Sequence, residues 1–155
     1  ERIPDSFEIA RKMGLSYSFG IANLTSAHPN SVVLEVKGKS GRTLEVQACS
    51  LGGGRIMINR LDGLDVNCSC EIPTLIVHNL DQPGHVAEVT SMLAHKSVNI
   101  ANMSLYRDKR GGSAVMVVEM DQPLPKESLE WLEHLEGIVK VTYINVTEGE
   151  EDDVL

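Results

Sequence analysis

Thr74-Leu75-Ile76-Val77-His78-Asn79-Leu80-Asp81-Gln82-Pro83-Gly84-His85-Val86 is the stretch from which the fold of this chain can be read. Its first six residues are a short apolar run of strand type. From His85 the pattern changes, and Val86, Val89 and Leu93, with Met92 beside them, recur at helical spacing through residue 96. Between strand and helix stands a Pro-Gly step. Such a loop leaves backbone N–H groups free at a helix start, where the partial positive charge favours a small anion such as an amino-acid carboxylate. Downstream, residues 99–106 and 113–120 are again strand-like, divided by Asp108-Lys109-Arg110-Gly111-Gly112, whose glycines and charges suit an exposed hairpin turn. Pro125 then sits in the first turn of a second helix. Leu129, Leu132 and Leu135 face inward, Trp131 lies at the edge, and Gly137 falls where a C-terminal cap belongs. Residues 138–146 supply a fourth strand, and the whole order is a split βαβ, ferredoxin-like sandwich with helices on one face.

Upstream the pattern is different. Residues 5–13 predict a short helix with Phe7, Ile9 and Met13 as its apolar members, and residues 14–27 form a less patterned connection rich in Ser and Gly. Residues 32–36 and 43–47 flank the hairpin turn Lys39-Ser40-Gly41-Arg42, and residues 55–59 and 64–67 flank Leu61-Asp62-Gly63. The fold class expected is therefore α+β, with a small antiparallel-sheet domain over residues 1–72 and a ferredoxin-like βαββαβ domain over residues 73–147. Residues 148–155 are an acidic tail with nothing to bury and are predicted to be disordered. With 155 residues and 42% hydrophobic content, each half has only a modest core. Burial against a partner would help both. Ala114, Met116, Val118 and Met120 lie on one side of a strand and Val115 and Val117 on the other, so the sheet has two apolar faces and helices for one. A homodimer through edge strands or sheet faces is expected on that ground.

A formal net charge of -8 excludes a nucleic-acid ligand, since phosphate binding needs a clustered basic surface. No signal-peptide pattern and no run of about 18 apolar residues occurs, so no membrane association and a cytoplasmic location are expected.

Catalytic chemistry is hard to find. His28, His78, His85, His95 and His134 share no motif with a Ser or Cys partner. His95 and His134 read as surface residues of helices and His78 as packing or interface. His85 opens the helix beside the Pro-Gly loop, where it either contacts a ligand or faces solvent. Cys68-Ser69-Cys70 with Cys49 offers three thiols, but three ligands from two loops are too few for a four-Cys site and the Cys-X-X-Cys reach is lacking. They read as free structural thiols, with no metal held. Ser50-Leu51-Gly52-Gly53-Gly54-Arg55 invites a second ligand, because consecutive glycines let a backbone approach an anion, and His28 and Asn30 could add polar contacts. The same glycines equally suit a bend between strands, and His-Pro-Asn suits a turn. It is not a P-loop, having no Gly-Lys-Ser/Thr ending.

The residues 75–84, Leu-Ile-Val-His-Asn-Leu-Asp-Gln-Pro-Gly, with residues 93–103, Leu-Ala-His-Lys-Ser-Val-Asn-Ile-Ala-Asn-Met, resemble an ACT domain, the family of amino-acid-binding regulatory modules. The resemblance implies that the Pro-Gly loop and a facing strand bind an effector, commonly at a dimer interface. Carried over by position, Asn79, Asp81, Gln82, Gly84, His85 and Val86 would form the loop side, with Asn99, Ile100 and Asn102 facing them.

The first half sharpens this. Glu1-Arg2-Ile3-Pro4-Asp5-Ser6-Phe7-Glu8-Ile9-Ala10, His28-Pro29-Asn30-Ser31-Val32 and Ser50-Leu51-Gly52-Gly53-Gly54-Arg55-Ile56 resemble the beta subunits of bacterial iron-sulfur L-serine dehydratases, which join an allosteric substrate-binding domain to an ACT domain. A related pair of domains ends some 3-phosphoglycerate dehydrogenases, the alternative reading, as is a stand-alone amino-acid-binding module. The resemblance implies L-serine or a related amino acid as effector and a catalytic alpha subunit that carries a [4Fe-4S] cluster and converts L-serine to pyruvate and ammonia. No cofactor and no catalytic residue is then expected on this chain. The family's Gly-Pro-Ser-Ser-Ser-His-Thr portion is not found, and the first domain is expected to be truncated at its start.

Overall fold

The computed structural model describes residues 3–25 and 27–145, and the acidic tail lies outside them. A single 3-10 turn, Ile3–Asp5, runs into helix α1, Ser6–Lys12, and the described residues between α1 and the first sheet, 14–25 and 27–30, have no regular structure. Phe7, Tyr17 and Phe19 gather their rings within 6.0 Å of one another on this arm, which is otherwise exposed. Strands β1 (Ser31–Lys37), β2 (Thr43–Gly52), β3 (Arg55–Leu61) and β4 (Leu64–Cys68) then form an antiparallel meander in that order. Two of its hairpins close through two-residue turns with both residues at positive φ, Gly53-Gly54 (63° and 78°) and Asp62-Gly63 (46° and 83°). That handedness matches the twist of paired strands and is what the Gly-rich spacing demanded.

The second unit contains β5 (Thr74–Leu80), α2 (His85–His95), β6 (Ile100–Arg107), β7 (Ser113–Met120), α3 (Lys126–Glu133) and β8 (Ile138–Ile144). Its sheet has the order β6-β7-β5-β8, all pairs antiparallel, so the predicted ferredoxin-like topology is the observed one. Leu75, Ile76 and Val77 are fully buried at the sheet centre, each stabilising the fold by roughly 1.5–3 kcal/mol. On one face Leu75, Val77, Met116, Val118 and Met120 pack under Val89, Leu93 and Leu132 of the helices. α2 ends in a Schellman motif: Val98 N–H donates to Leu93 O and Ser97 N–H to Ala94 O, both at 3.0 Å, with Ser97 left-handed at φ 56°. α3 stops at Glu133, earlier than Gly137 suggested, and Gly137 serves the connection to β8 instead.

The other face of this sheet is not free. Ile76, Val115 and Val117 pack against Ala48, Ile58, Leu61, Val66 and Cys68 of the first sheet. The expectation that this face requires a second molecule is thus corrected in its physical basis: the chain's own first half covers it. A two-sided apolar strand announces a partner but not which one.

Candidate functional site

The loop between β5 and α2 is held from three sides. Leu80 N–H donates to Gly137 O, Asp81 N–H to Gly112 O and Gln82 N–H to Leu80 O, at 2.8–2.9 Å. Gly84 is the N-cap at φ 110° and contributes no side-chain cap, so the first turn of α2 presents its backbone donors without a side chain over them. Gln82, Gly84 and Val86 are exposed. This is the geometry a carboxylate needs.

The side chains around the loop are less free than their sequence positions suggested. Asp81 accepts from Arg107 Nη1 at 3.0 Å and from Gly111 N–H at 2.9 Å. These bonds, Gly111 foremost and Arg107 with it, outweigh desolvation and hold its carboxyl below the usual range. A ligand amino group would have to share it. His85 neither faces solvent nor lines the loop surface. It is buried, with Nδ1 3.2 Å from Glu88 Oε2, and its ring occupies the space a Cβ on Gly137 would take. Its Nε2 is buried without a partner, as is Oδ1 of the buried Asn79, whose Nδ2 donates to Leu80 O at 2.6 Å.

Within one chain the two sides predicted for the site do not face each other. Leu80 pairs with Ser113 and Ile100 with Met120, so the loop and the start of β6 lie at opposite ends of β7. Seven residues at ~3.3 Å each put them roughly 20 Å apart. Asn99 Nδ2 donates to Asp121 at 2.6 Å and Asn102 Nδ2 to Glu119 at 2.9 Å, while Ile100 is partly buried against the core. The sequence pattern places residues along a strand but says nothing of which end of the sheet a loop occupies.

Upstream, Gly52, Gly53 and Gly54 form the exposed tip of the β2–β3 hairpin, with open space around each. They make a turn, as the plainer reading held, and Arg55 and Ser50 flank it. His28 and Asn30 do meet this region: His28 Nδ1 accepts from Asn30 N–H at 3.2 Å, and Asn30 O accepts from Ser50 N–H at 3.0 Å. The cavity lies lower on the hairpin, about 520 Å³ lined by His28, Gln47, Cys49, Asn59, Arg60 and Asp65 among others. Sequence reading missed Gln47 and Asn59. Strand alternation was the available signal, since Gln47 and Cys49 on β2 and Met57 and Asn59 on β3 recur every second residue.

Between the two sheets sits a polar cluster. Asp62, on the β3–β4 turn, accepts from Lys140 Nζ of β8 and from Glu45 N–H, the latter at 2.9 Å, and lies 3.6 Å from His78 Nε2. Lys140 also donates to Thr43 O at 2.7 Å. Desolvation would raise the Asp62 pKa, but the Lys140 and Glu45 hydrogen bonds with the two nearby positive centres bring it below the ordinary value. Desolvation lowers His78, helped by Lys140 and opposed by Asp62.

All three cysteines are free and buried. Cys68 packs between the sheets while Cys49 lies on the opposite face of the first sheet, in the cavity beside Gln47, so the three thiols do not converge as a cluster's ligands would. Among the described residues no group of three or more His, Cys, Asp or Glu could hold a metal ion, and no helix is long and apolar enough to cross a membrane.

Fold and loop together define the class: residues 73–136 match the ACT domain family, and the second unit is an ACT domain. The similarity does not stop there. Along 93% of its length the chain is 33% identical to the probable L-serine dehydratase beta chain of Bacillus subtilis, and along 94% it is 29% identical to the L-serine dehydratase beta chain of Peptoniphilus asaccharolyticus. It covers 65% and 66% of those two proteins, just under two thirds of their length. The D-3-phosphoglycerate dehydrogenase of Bacillus subtilis is 25% identical over 89% of this chain, which covers 26% of that enzyme.

Proposed function

We propose that the chain is the regulatory, amino-acid-sensing part of an L-serine dehydratase beta subunit. The observation that carries this is the span of the similarity: both sheets, not the ACT domain alone, match the two beta chains, at higher identity than the dehydrogenase over a comparable span. In this reading an alpha subunit provides the [4Fe-4S] cluster and the conversion of L-serine to pyruvate and ammonia. The thiols of this chain do not fit such a cluster, and its part is to bind an effector and to assemble.

The effector is L-serine or a close analogue, its carboxylate on the N–H groups of His85 and Val86 beside Gly84. Two copies complete the site. β6 is an edge strand, and two β6 edges paired antiparallel bring the Ile100 end of one copy beside the Arg107 end of the other. Arg107 holds Asp81, so Asn99, Ile100 and Asn102 of one protomer meet the 81–86 loop of its partner. Calorimetric titration with L-serine, alongside sedimentation, tests this. Serine binding with the protein dimeric, lost in Gly84→Val and weakened in Asn102→Ala by roughly the ~0.5–1.5 kcal/mol of one hydrogen bond, is the expected result. Unchanged serine affinity in a folded Gly84→Val protein would move the effector to the cavity beside His28.

A further inference from the structure

Cys68 ends β4 and Cys70 is the second residue of the short connection to β5, where the chain passes from one sheet to the other. Their Sγ atoms are 3.6 Å apart, in contact. On an extended strand residues i and i+2 point the same way but stand apart. Here Cys70 turns left-handed at φ 55°, which folds its side chain back on that of Cys68. Both thiols are buried in the seam with Ile58, Val66, Ile76 and Val117, and Cys70 directly precedes the exposed Glu71.

We infer that Cys68 and Cys70 are an oxidisable pair that a small peroxide converts to an intramolecular disulfide across the junction of the two sheets. The inference is independent of the effector reading. Cys70 is the attacking sulfur: the hydrogen bond from Cys68 pulls its thiol below the ordinary range despite burial, while the same bond and burial push Cys68 up. The Cys70 thiolate attacks one oxygen of hydrogen peroxide, the O–O bond breaks and hydroxide leaves, taking up the proton Cys70 had lost, as water. Cys70 is now a sulfenic acid. The Cys68 sulfur attacks it, the S–O bond breaks, and the departing hydroxide takes the Cys68 proton as a second water. Two thiols are oxidised, one peroxide is reduced and two waters leave. The sulfurs need to close from contact to the ~2.05 Å of a disulfide, a shift the five-residue connection, residues 69–73, can absorb. Burial restricts the reaction to a small oxidant, and Cys49, on the far face, takes no part.

Native protein treated with hydrogen peroxide, then denatured and titrated for thiols, tests this. The expected result is one free thiol of the three, an intact mass lower by two hydrogens, a Cys68–Cys70 linkage in the peptide map, and return of all three thiols with dithiothreitol. Cys49→Ser should form the same linkage and be left with no free thiol, and Cys68→Ser should stop at a sulfenic acid trappable by dimedone. Three thiols remaining, a linkage through Cys49 or between chains, or a mass gain without cross-linking would each overturn the inference. The mass and thiol count of the unmodified sequence decide it even if a serine variant fails to fold.

Discussion

Gly137→Ala is the sharpest probe of how the effector loop is held. The residue sits at φ 80°, and a Cβ there would meet Cε1 and Nε2 of His85 at 2.6 Å. Carbon contacts are favourable at about 3.5–4.0 Å, so the ring would have to retreat by roughly 1 Å. It has little room, being nine-tenths buried and joined to Glu88. Left-handed backbone costs an alanine about 1–2 kcal/mol, and overpacking adds about 1–3, giving a loss of roughly 2–5 kcal/mol. At about 2–4 °C per kcal/mol the thermal midpoint should fall by roughly 4–20 °C. Gly41→Ala separates the two contributions, because Gly41 has nearly the same φ, 85°, with nothing near its missing Cβ, and should cost only the backbone share. The overpacking share must also vanish when the ring is removed. In urea unfolding, the His85→Ala/Gly137→Ala double variant should therefore be less destabilised than the sum of the singles by about 1–3 kcal/mol. Additivity, or a Gly137→Ala as mild as Gly41→Ala, would refute the packing of His85 against this turn.

Ser97→Gly should stabilise the protein by about 0.5–1 kcal/mol in the same assay, since glycine removes the left-handed strain of the α2 cap without touching its backbone bonds. Acidification should destabilise the chain in two stages. His78 and Asp62 both titrate lower in the folded state than in the unfolded chain, so the unfolded chain binds more protons, and stability present above about pH 6.5 is lost as pH falls through the His78 range and then the Asp62 range. Asp62→Asn, which leaves Lys140 without its carboxylate in the seam, should cost about 2–3 kcal/mol at neutral pH and flatten the acid limb; an unchanged pH profile of unfolding would count against the cluster. Assayed anaerobically after iron-sulfur reconstitution, the chain alone should form no pyruvate from L-serine, and pyruvate formation without an alpha subunit would refute the regulatory reading.

The strands and turns were legible because glycine and proline mark where the chain must turn and because β5 and β7 carry apolar runs, Leu75 to Val77 and Ala114 to Val118. The first-turn geometry of α2 could likewise be read from Pro83-Gly84. What could not be read concerns contacts between residues far apart in sequence. Asp62 and Lys140 are 78 residues apart, and no periodicity links them. His85 was open between ligand contact and solvent because a helix start is usually exposed; the turn at Gly137 buries it. The Cys-X-Cys spacing was visible, but the left-handed Cys70 that brings its sulfurs together was not. Asn99, Ile100 and Asn102 were grouped with the 81–86 loop by resemblance, and a single chain separates them by the length of β7.

That separation and the covering of the sheet face bear on the same question. With Val115 and Val117 buried under the first sheet, two copies have the sheet edges left to them. β8 is already engaged: Arg42 from the β1–β2 hairpin donates to the Val141 carbonyl and pairs with Glu133 at 3.3 Å, and Lys140 of β8 itself reaches back to the Thr43 carbonyl. Charged side chains tied across an edge oppose strand addition. On β6, Tyr106 packs into the seam and its hydroxyl reaches Asn67 O at 3.5 Å, while Leu105 stands half exposed. In the reading proposed above the edge used is β6, whose antiparallel pairing would bring Asn102 of one copy to the Gly84 loop of the other. On that proposal an effector held there would bridge two chains, and its binding would stabilise the pair by whatever affinity the separated halves lack. Raising L-serine should accordingly shift the chain toward the dimer in sedimentation, and variants that lose serine binding should lose that shift with it.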